Sequence, residues 1–233
     1  MSWYTEIACT NVNQFIGVLD STLDMYGSKK MIYRGQADSD WELRPTLYRH
    51  RYGNIDFEID IVDSFMLASH KSGRVIPSDA MSYISRVNEN TGRPVTRFRI
   101  WGGKFEYDVG NIAFAMARHA EIPTRHLDFT WDPLVAAYFT IETLAFASEK
   151  QPPERLAVWA IEYRKLFHTF GLIHHDWADI PSLRNQKGLF VYDPTIDISS
   201  LKCWTEAPSF DAVLSQIGDV NMTKKITLPC TNE

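Results

Sequence analysis

The chain has 233 residues, of which 45% are hydrophobic and 23% are charged. These values are ordinary for a globular protein, so the composition excludes an intrinsically disordered chain. The formal net charge of −5 argues against nucleic-acid binding through a general excess of positive charge, and leaves open only a local basic groove. The length favours one domain, residues 1–233.

Cysteine usage and the N-terminal residues indicate the cellular compartment. Cys9, Cys203 and Cys230 are odd in number and have neither the spacing of metal ligands nor that of a disulfide framework. The N-terminus lacks the basic and apolar stretches of a signal peptide. No apolar run reaches the roughly 18 residues of a membrane-spanning helix. We therefore expect a cytoplasmic protein with reduced thiols and no membrane association.

Helical periodicity is clearest in the first half of the chain. A helix is predicted over residues 11–26, because apolar residues recur there at helical spacing. The run from Lys30 to Arg34 predicts a short strand. Further along, the pattern predicts a helix from Ile55 to His70, an alternating strand from Val95 to Ile100 and a helix from Asp108 to His119.

The second half mixes short strands and helices. A short extended run from Arg125 to Phe129 leads into a helix with Pro133 in its first turn. The predicted buried stripe of that helix consists of Leu134, Tyr138, Ile141 and either Leu144 or Ala145. Strands are predicted at 156–161, 189–192 and 226–230, and a short helix after Ser209. Because strands and helices do not follow regular βαβ order, we predict an α+β fold.

Tyr33-Arg34-Gly35-Gln36 is the first segment with the residue types of a binding site. The predicted strand delivers the Arg34 guanidinium at its end, and such a group suits bidentate recognition of phosphate or a ribose oxygen. Gly35 has no Cβ, so its backbone can approach a flat ligand closely. The alternative is that Arg34 pairs with a carboxylate and Gly35 only turns the chain.

The segment from Arg118 to Thr130 is the second candidate. It contains two His, two Arg, two carboxylates and two Thr around a short strand that leads into an apolar helix. Polar side chains at such a junction either satisfy one another or face a ligand, and the sequence leaves both readings open.

Other polar clusters are weaker candidates. His174-His175-Asp176 suggests metal, but adjacent histidines point in different directions and no second ligand pair supports them, so we predict no metal site. Arg93, Arg97, Arg99 and Lys104 are interleaved with aromatic residues and fit either a small face that binds nucleic acid or phosphate, or a solvated strand. The glycine-rich nucleotide loops, the zinc-protease motif and the hydrolase elbow are absent from the sequence.

Three blocks of the sequence resemble the FRG domain family. Block 1, residues 33–49, is similar to the pattern RGQ…W-x-L-x-P-x-L-x-R, with Tyr33 where the family has Phe. Block 2, residues 118–139, is similar to H-x-G-x-P-T-R-L-L-D-W-T-x-x-P-x-x-A-x-Y-F, although Ala120-Glu121, His126 and Phe129 depart from it. Block 3, residues 184–190, is similar to R-x-Q-x-G-x-F.

The FRG family resembles the ADP-ribosyltransferase fold more distantly, which implies a split β-sheet cleft that holds NAD as a substrate, with helical insertions. The resemblance implies that Arg34 grips the cofactor, Gly35 holds the nicotinamide carboxamide, and Tyr138 or Phe139 stacks on the nicotinamide. Tyr33, Gln36 and Thr130 complete the implied cofactor-binding set.

The same resemblance implies catalytic roles. Asp128 would stabilise positive charge at the anomeric carbon, and His119 or Arg125 would position Asp128 or assist the acceptor. Gln186 stands in the region where active transferases commonly have Glu, and an amide supplies no full negative charge to a developing cation.

These observations predict three classes of function. The first is an NAD-consuming enzyme, either an ADP-ribosyltransferase that modifies a protein or nucleic acid, as in toxins or antiviral-defence effectors, or an NAD glycohydrolase. A regulatory partner protein is compatible with this class. The second is a catalytically silent module that binds a nucleotide or a partner, which Gln186 favours. The third is a metal-independent nuclease that uses His119, His126 and Asp128.

Overall fold

The structure is a computed structural model that describes most of the chain. The described residues are 2–23, 30–49, 57–77, 100–101, 104–105, 111–146, 153–173, 177–178, 180–196, 200–217 and 222–230. Of the predicted strand Val95–Ile100, only Ile100 lies within these ranges. The His174–Asp176 cluster and the arginines at 93, 97 and 99 lie outside them.

Strands and helices are both short. The strands are β1 (Thr5–Ala8), β2 (Met31–Gln36), β3 (Ile100–Trp101), β4 (Lys104–Phe105), β5 (Leu127–Thr130), β6 (Arg155–Glu162), β7 (Gly171–Ile173), β8 (Gly188–Tyr192) and β9 (Thr223–Pro229). The helices are α1 (Val12–Ser21), α2 (Thr46–Arg49), α3 (Phe57–Lys71), α4 (Asn111–His119), α5 (Pro133–Phe146), α6 (Tyr163–Phe167), α7 (Pro181–Asn185) and α8 (Phe210–Ile217), with a 3₁₀ turn at Trp204–Glu206.

Seven of the described strands form one open sheet. Its order is β1-β9-β6-β2-β5-β8-β7, and β3 pairs with β4 separately. β1 runs parallel to β9, whereas the other pairings are antiparallel. The protein therefore has a mixed fold of helices and strands around this sheet, which agrees with the predicted mixture of the two.

The sheet diverges between β2 and β5. β2 pairs with β6 along its whole length, and β5 pairs with β8 from Leu127 to Thr130. Among the described residues, however, the register between β2 and β5 is confined to Tyr33 opposite Thr130. Beyond this pair the two strands separate, and a gap opens inside the sheet.

The two faces of the sheet bury different apolar clusters, because side chains alternate along a strand. Trp159 and Ile161 of β6 pack on one face with Phe210 of α8. Val158 and Ala160 pack on the other face with buried residues of α1 and α5. These two clusters hold α1 and α5 on one side of the sheet and α8 on the other.

Helix α1 is shorter than the predicted range of 11–26. Asn11 caps its start, since the Asn11 side chain accepts a hydrogen bond of 2.9 Å from the Gln14 backbone N–H. Phe15 and Leu19 are buried, as the periodicity predicted. The helix ends at Ser21 with Thr22 as its C-cap, and residues 24–29 lie outside the described part of the chain.

The predicted buried stripe of α5 is wrong. Leu134, Tyr138 and Ile141 have exposed fractions of 50%, 59% and 58%. The buried face consists instead of Ala136, Ala137 and Thr140. The helix is apolar on all sides, so periodicity could not identify the inner face. Small residues face the sheet because α5 lies very close to β2. The side chains of Leu144 and Ala145 are outside the described set.

Most other predicted elements are present within a few residues of their expected bounds. These include α3, α4, β6, β8 and β9, and α8 begins after Ser209, whose hydroxyl accepts a hydrogen bond from the Ala212 N–H. The strands β1 and β7 and the short helix α7 were not predicted. The three cysteines are free. None of the described helices has the length and apolar character needed to cross a membrane.

Candidate functional site

The candidate site is a cleft where β2 and β5 diverge. Its volume of about 420 Å³ falls within the range of about 300–1,000 Å³ that is usual for small-molecule sites. Block 1 contributes Arg34, block 2 contributes Arg118, His119 and Asp128, and block 3 contributes Gln186 and Gly188. Helix α5 supplies a further wall. Segments that are far apart in sequence therefore meet at one cleft.

Two arginines hold Asp128 inside the cleft. Arg118 donates from Nε to Asp128 Oδ1 at 3.1 Å and to Oδ2 at 2.9 Å, and its Nη2 lies 2.9 Å from Oδ2. Arg34 Nη1 donates to the Asp128 backbone carbonyl at 2.8 Å and lies 3.5 Å from Oδ2. The Arg34 side chain thus bridges the gap between β2 and β5 with a side-chain hydrogen bond.

The charges of this cluster shift one another's pKa. Burial opposes ionisation of Asp128, but the guanidinium groups of Arg118 and Arg34 outweigh burial and lower the pKa of that carboxyl. Burial lowers the pKa of Arg34 to about 10. The charge of Asp128 raises the pKa of Arg118. All three groups are charged at neutral pH, and Asp128 keeps an exposed side-chain fraction of 39%.

A third arginine, Arg49, adds positive charge near the cluster of Arg118, Arg34 and Asp128. Burial and the charge of Arg118 lower the pKa of Arg49. Its Nε donates to the Arg44 carbonyl at 2.9 Å. Arg34 Nε is buried and has no hydrogen-bond partner among the described residues. The cleft lining holds two guanidinium groups, of Arg34 and Arg118, and three carboxylates, of Glu121, Asp128 and Glu142. An anionic ligand can bind the guanidinium N–H donors that Asp128 does not use.

Hydrogen bonds also join block 2 to α7 and to block 3. His119 Nε2 lies 2.7 Å from Ser182 Oγ, and Thr130 Oγ1 donates to the Gln186 backbone carbonyl at 2.7 Å. Burial lowers the pKa of His119. Gln186 lines the cleft as the C-cap residue of α7. This third wall of the cleft, formed by α7 and block 3, is therefore fixed to α4 through His119 and to β5 through Thr130.

Gly35 lines the cleft, but the structure gives a different reason for its missing side chain. A Cβ at this position would lie 2.1 Å from the Ala136 carbonyl oxygen and 2.8 Å from Thr140 Cγ2. The packing of helix α5 against β2 therefore requires a glycine here, whereas the sequence had suggested the close approach of a flat ligand. Phe139 of the same helix is half-buried and faces the cleft.

Arg125 was predicted to be catalytic, and the structure places it outside the cleft lining. Its guanidinium is 2% exposed and pairs with the fully buried Glu58, with Nε 2.6 Å from Oε2. The Arg125 backbone N–H also donates to Glu58 Oε1 at 2.7 Å. This ion pair ties helix α3 to the segment before β5. Arg125 is a structural residue, because its polar groups point at Glu58.

Two predicted cofactor contacts also lie elsewhere. The Gln36 side chain is buried, accepts a hydrogen bond of 2.6 Å from Trp159 Nε1 and donates to the Glu42 carbonyl at 3.0 Å. Tyr138 is exposed, and its hydroxyl donates to Glu142 at 3.1 Å. Neither lines the cleft. Gln36 lies on the same face of β2 as Arg34, but its amide is bound to Trp159 and Glu42, and the helical turn of α5 directs Tyr138 to solvent.

The remaining predicted site residues do line the cleft, and some lining residues were not assigned a role from sequence. Tyr33 and Thr130 contribute to the wall, and Tyr33 is buried with its hydroxyl 2.8 Å from Thr22 Oγ1. Arg118, Glu121 and Glu142 were missed. Arg118 precedes Asp128 by ten residues in the polar block, but its position at the end of α4 was needed to pair the two.

His126 was considered as a nuclease residue, and the structure does not place it in the cleft lining. It is fully buried, and burial together with the charge of Arg125 lowers its pKa to about 3. Its ring lies 5.2 Å from that of Tyr192. Among the described residues no group of three or more His, Cys, Asp or Glu side chains is placed to hold a metal ion.

Comparison with known families identifies the chain. Residues 29–149 match the FRG domain, and this segment is slightly more than half of the 233 residues. The chain therefore belongs to the FRG domain family. The matched segment contains blocks 1 and 2, whereas block 3 lies beyond it. No curated protein matches the chain, and no solved structure matches it.

Proposed function

We propose that this member of the FRG domain family binds NAD between β2 and β5 and cleaves its nicotinamide–ribose bond. ADP-ribose is then transferred to a protein or nucleic-acid acceptor. The observation that supports this proposal most is the meeting of Arg34, Arg118 and Asp128 where the sheet diverges. The site combines guanidinium groups for a pyrophosphate with the Asp128 carboxylate for a positively charged sugar.

Arg34 is the proposed pyrophosphate ligand. Its contact with Asp128 Oδ2 is the longer of the two arginine contacts to that oxygen, at 3.5 Å against 2.9 Å for Arg118. An incoming pyrophosphate can take this contact over while Arg118 continues to hold Asp128. The unpartnered Nε of Arg34 supplies a further donor. Arg49 adds long-range attraction for the same anion.

Asp128 is the proposed electrostatic catalyst. Breaking the bond between ribose C1′ and the nicotinamide nitrogen leaves positive charge on the sugar, and a fixed carboxylate stabilises that charge. The lowered pKa keeps Asp128 ionised at neutral pH. Its contacts with Arg118 fix the carboxylate in place, so little reorganisation is needed when the charge develops.

The nicotinamide is proposed to lie against α5 and β2. Phe139 offers a partly exposed aromatic ring in the cleft, and its neighbour Tyr138 points to solvent. The backbone of β2 beside Gly35 has no β5 partner past Tyr33, so its polar groups are positioned to receive the carboxamide. We therefore assign the stacking role to Phe139 alone.

A silent binding module is the second candidate function. Two observations favour it: Asp128 is already neutralised by two arginines, and Gln186 supplies an amide in the third wall. Such a module would bind NAD or a related nucleotide through the same arginines and release no nicotinamide. An NAD glycohydrolase would release nicotinamide without labelling any macromolecule.

Incubation of the purified protein with labelled NAD in cell extract tests the proposal. We expect nicotinamide release together with a labelled macromolecule. Arg34→Ala should lower turnover by about a hundred-fold or more, because a charged contact to the ligand is lost. Arg34→Lys keeps the charge and should retain part of the activity. Arg164→Ala removes an exposed arginine outside the cleft and is the control.

The outcomes separate the candidates. Release without macromolecular labelling supports the glycohydrolase, and saturable binding without release supports the silent module. A folded Arg34→Ala protein with wild-type turnover, checked by circular dichroism, contradicts the assignment of Arg34.

A further inference from the structure

Glu121 occupies a backbone position that usually belongs to glycine. Its φ is +63°, in the left-handed region. The helix α4 ends there in a Schellman motif, because the Ile122 N–H donates to the Ala117 carbonyl and the Glu121 N–H donates to the Arg118 carbonyl. Glycine is favoured at this position since it has no Cβ to clash with the carbonyl oxygen. A glutamate there costs stability.

The strained residue lies in the cleft. Glu121 is one of three acidic residues in the cleft lining, together with Asp128 and Glu142. Asp128 is held by two arginines, and Glu142 accepts a hydrogen bond from Tyr138. No hydrogen bond or ion pair joins the Glu121 carboxylate to another described residue. The charge of Glu121 contributes to the raised pKa of Arg118. Residues with backbone strain of this kind cluster at active sites and ligand-binding sites.

Other proton acceptors in the cleft are already engaged. His119 shares its Nε2 with Ser182 Oγ at 2.7 Å. Gln186 carries an amide, which does not accept a proton at neutral pH. Among the described lining residues Glu121 thus offers a carboxylate whose oxygens are open to a ligand.

We infer that Glu121 is the catalytic base that receives the proton of the attacking nucleophile. The inference rests on the proposed cleavage of NAD. A hydroxyl group of water or of the acceptor attacks ribose C1′, a C1′–O bond forms, and the C1′–N bond breaks. The bonding electron pair leaves with nicotinamide, and the hydroxyl proton passes to a Glu121 carboxylate oxygen. Asp128 stabilises the sugar, and Glu121 acts on the nucleophile.

Two variants test this role. Glu121→Gln keeps the size and the strain but cannot accept a proton, so turnover should fall about a hundred-fold or more. Its Kd for NAD in calorimetry should stay within about two-fold, because the pyrophosphate ligands are intact. Glu121→Gly relieves the strain and should raise the melting temperature by roughly 2–4 °C while turnover falls. Added formate should restore part of the turnover of Glu121→Gly.

Lys187→Gly is the matched control. Lys187 also has a positive φ, of +49°, next to a helix end, but it is outside the cleft lining and forms an exposed ion pair with Asp132. Its replacement should relieve similar strain and leave turnover within about two-fold, since exposed ion pairs contribute little.

The outcomes are distinguishable. Wild-type turnover in Glu121→Gln or Glu121→Gly overturns the role of Glu121 and leaves the proposed function standing. A Glu121→Gly protein that is less stable than the wild type also overturns it. A wild-type protein that binds NAD but releases no nicotinamide overturns the proposed cleavage, and the role of Glu121 falls with it.

Discussion

Asp128 is the residue that pairs with both arginines of the cleft lining. Its carboxylate contacts Arg118 and Arg34, and these contacts lower its pKa even though burial acts in the opposite direction. In the folded protein the carboxyl therefore holds its proton less strongly than in the unfolded chain. The stability that follows is fully present above the unfolded pKa and is lost as the pH falls through the folded value.

This sign gives a prediction for Asp128. Carbon-13 NMR of the side-chain carboxyl should show a titration midpoint below the usual value of about 3.9. Arg118→Gln should move the midpoint upward, because the closer guanidinium is removed. Global stability should decline below about pH 4, and Asp128→Asn should make that decline shallower. A midpoint at or above the usual value would contradict the pairing of Asp128 with Arg118 and Arg34.

Arg125 illustrates a charged residue that sequence alone misassigned. Its pairing with the fully buried Glu58 predicts that Arg125→Ala lowers the free energy of unfolding by about 3–5 kcal/mol, because an uncompensated charge is left in the interior. Urea denaturation measures this loss. The double variant Arg125→Met with Glu58→Leu should recover most of it, since both charges are removed. A loss below about 1 kcal/mol for the single variant would indicate that the pair is solvated.

At the scale of elements, the contact between α5 and β2 sets the shape of the cleft. Gly35→Ala should destabilise the protein by about 1–3 kcal/mol or more, because the new methyl group would overlap the Ala136 carbonyl. Gly17→Ala is the control: nothing lies within 4 Å of its added Cβ in α1, so a gain of about 0.5–1 kcal/mol is expected. Equal effects of the two substitutions in thermal unfolding would contradict the close packing of α5 on β2.

The elements also show which parts of the fold the sequence can predict. Helices with one apolar face, such as α1 and α3, were predicted from periodicity, although Thr22 and Leu23 were wrongly included in α1. The orientation of α5 was not predicted, because apolar residues lie all around this helix and their periodicity indicates no inner face. The inner face was decided by Gly35, whose contact with the helix is visible only in three dimensions.

The site was predicted to a similar extent. The polar blocks identified Arg34, His119 and Asp128 as cleft residues, and the structure brings them together. The blocks could not separate Arg125 from Arg118, since both are arginines close to the same strand and only helix α3 decides which one is buried. Glu121 was predicted only as one of the two carboxylates of the Arg118–Thr130 segment and as a departure from the family pattern. Its positive φ, which distinguishes it from the other described surface glutamates, is visible only in the structure.

At the scale of the whole molecule, the divergence of the sheet unites these observations. A continuous sheet would pair β2 and β5 along their lengths, and no cleft would exist between them. Here a single residue pair, Tyr33 with Thr130, holds the two strands together. The Arg34 side chain bridges the gap, and Thr130 fixes the third wall through Gln186. The divergence of β2 from β5 thus forms the cleft, and the side-chain contacts across it hold its walls in place.

A crystal structure of the protein with NAD tests the central claim most directly. We predict NAD between β2 and β5, with its pyrophosphate on Arg34, its nicotinamide against Phe139 and its ribose C1′ facing Asp128. The contact between Arg34 and Asp128 Oδ2 should lengthen, while Arg118 stays paired. An empty cleft at saturating NAD, or NAD bound elsewhere on the protein, would contradict the account.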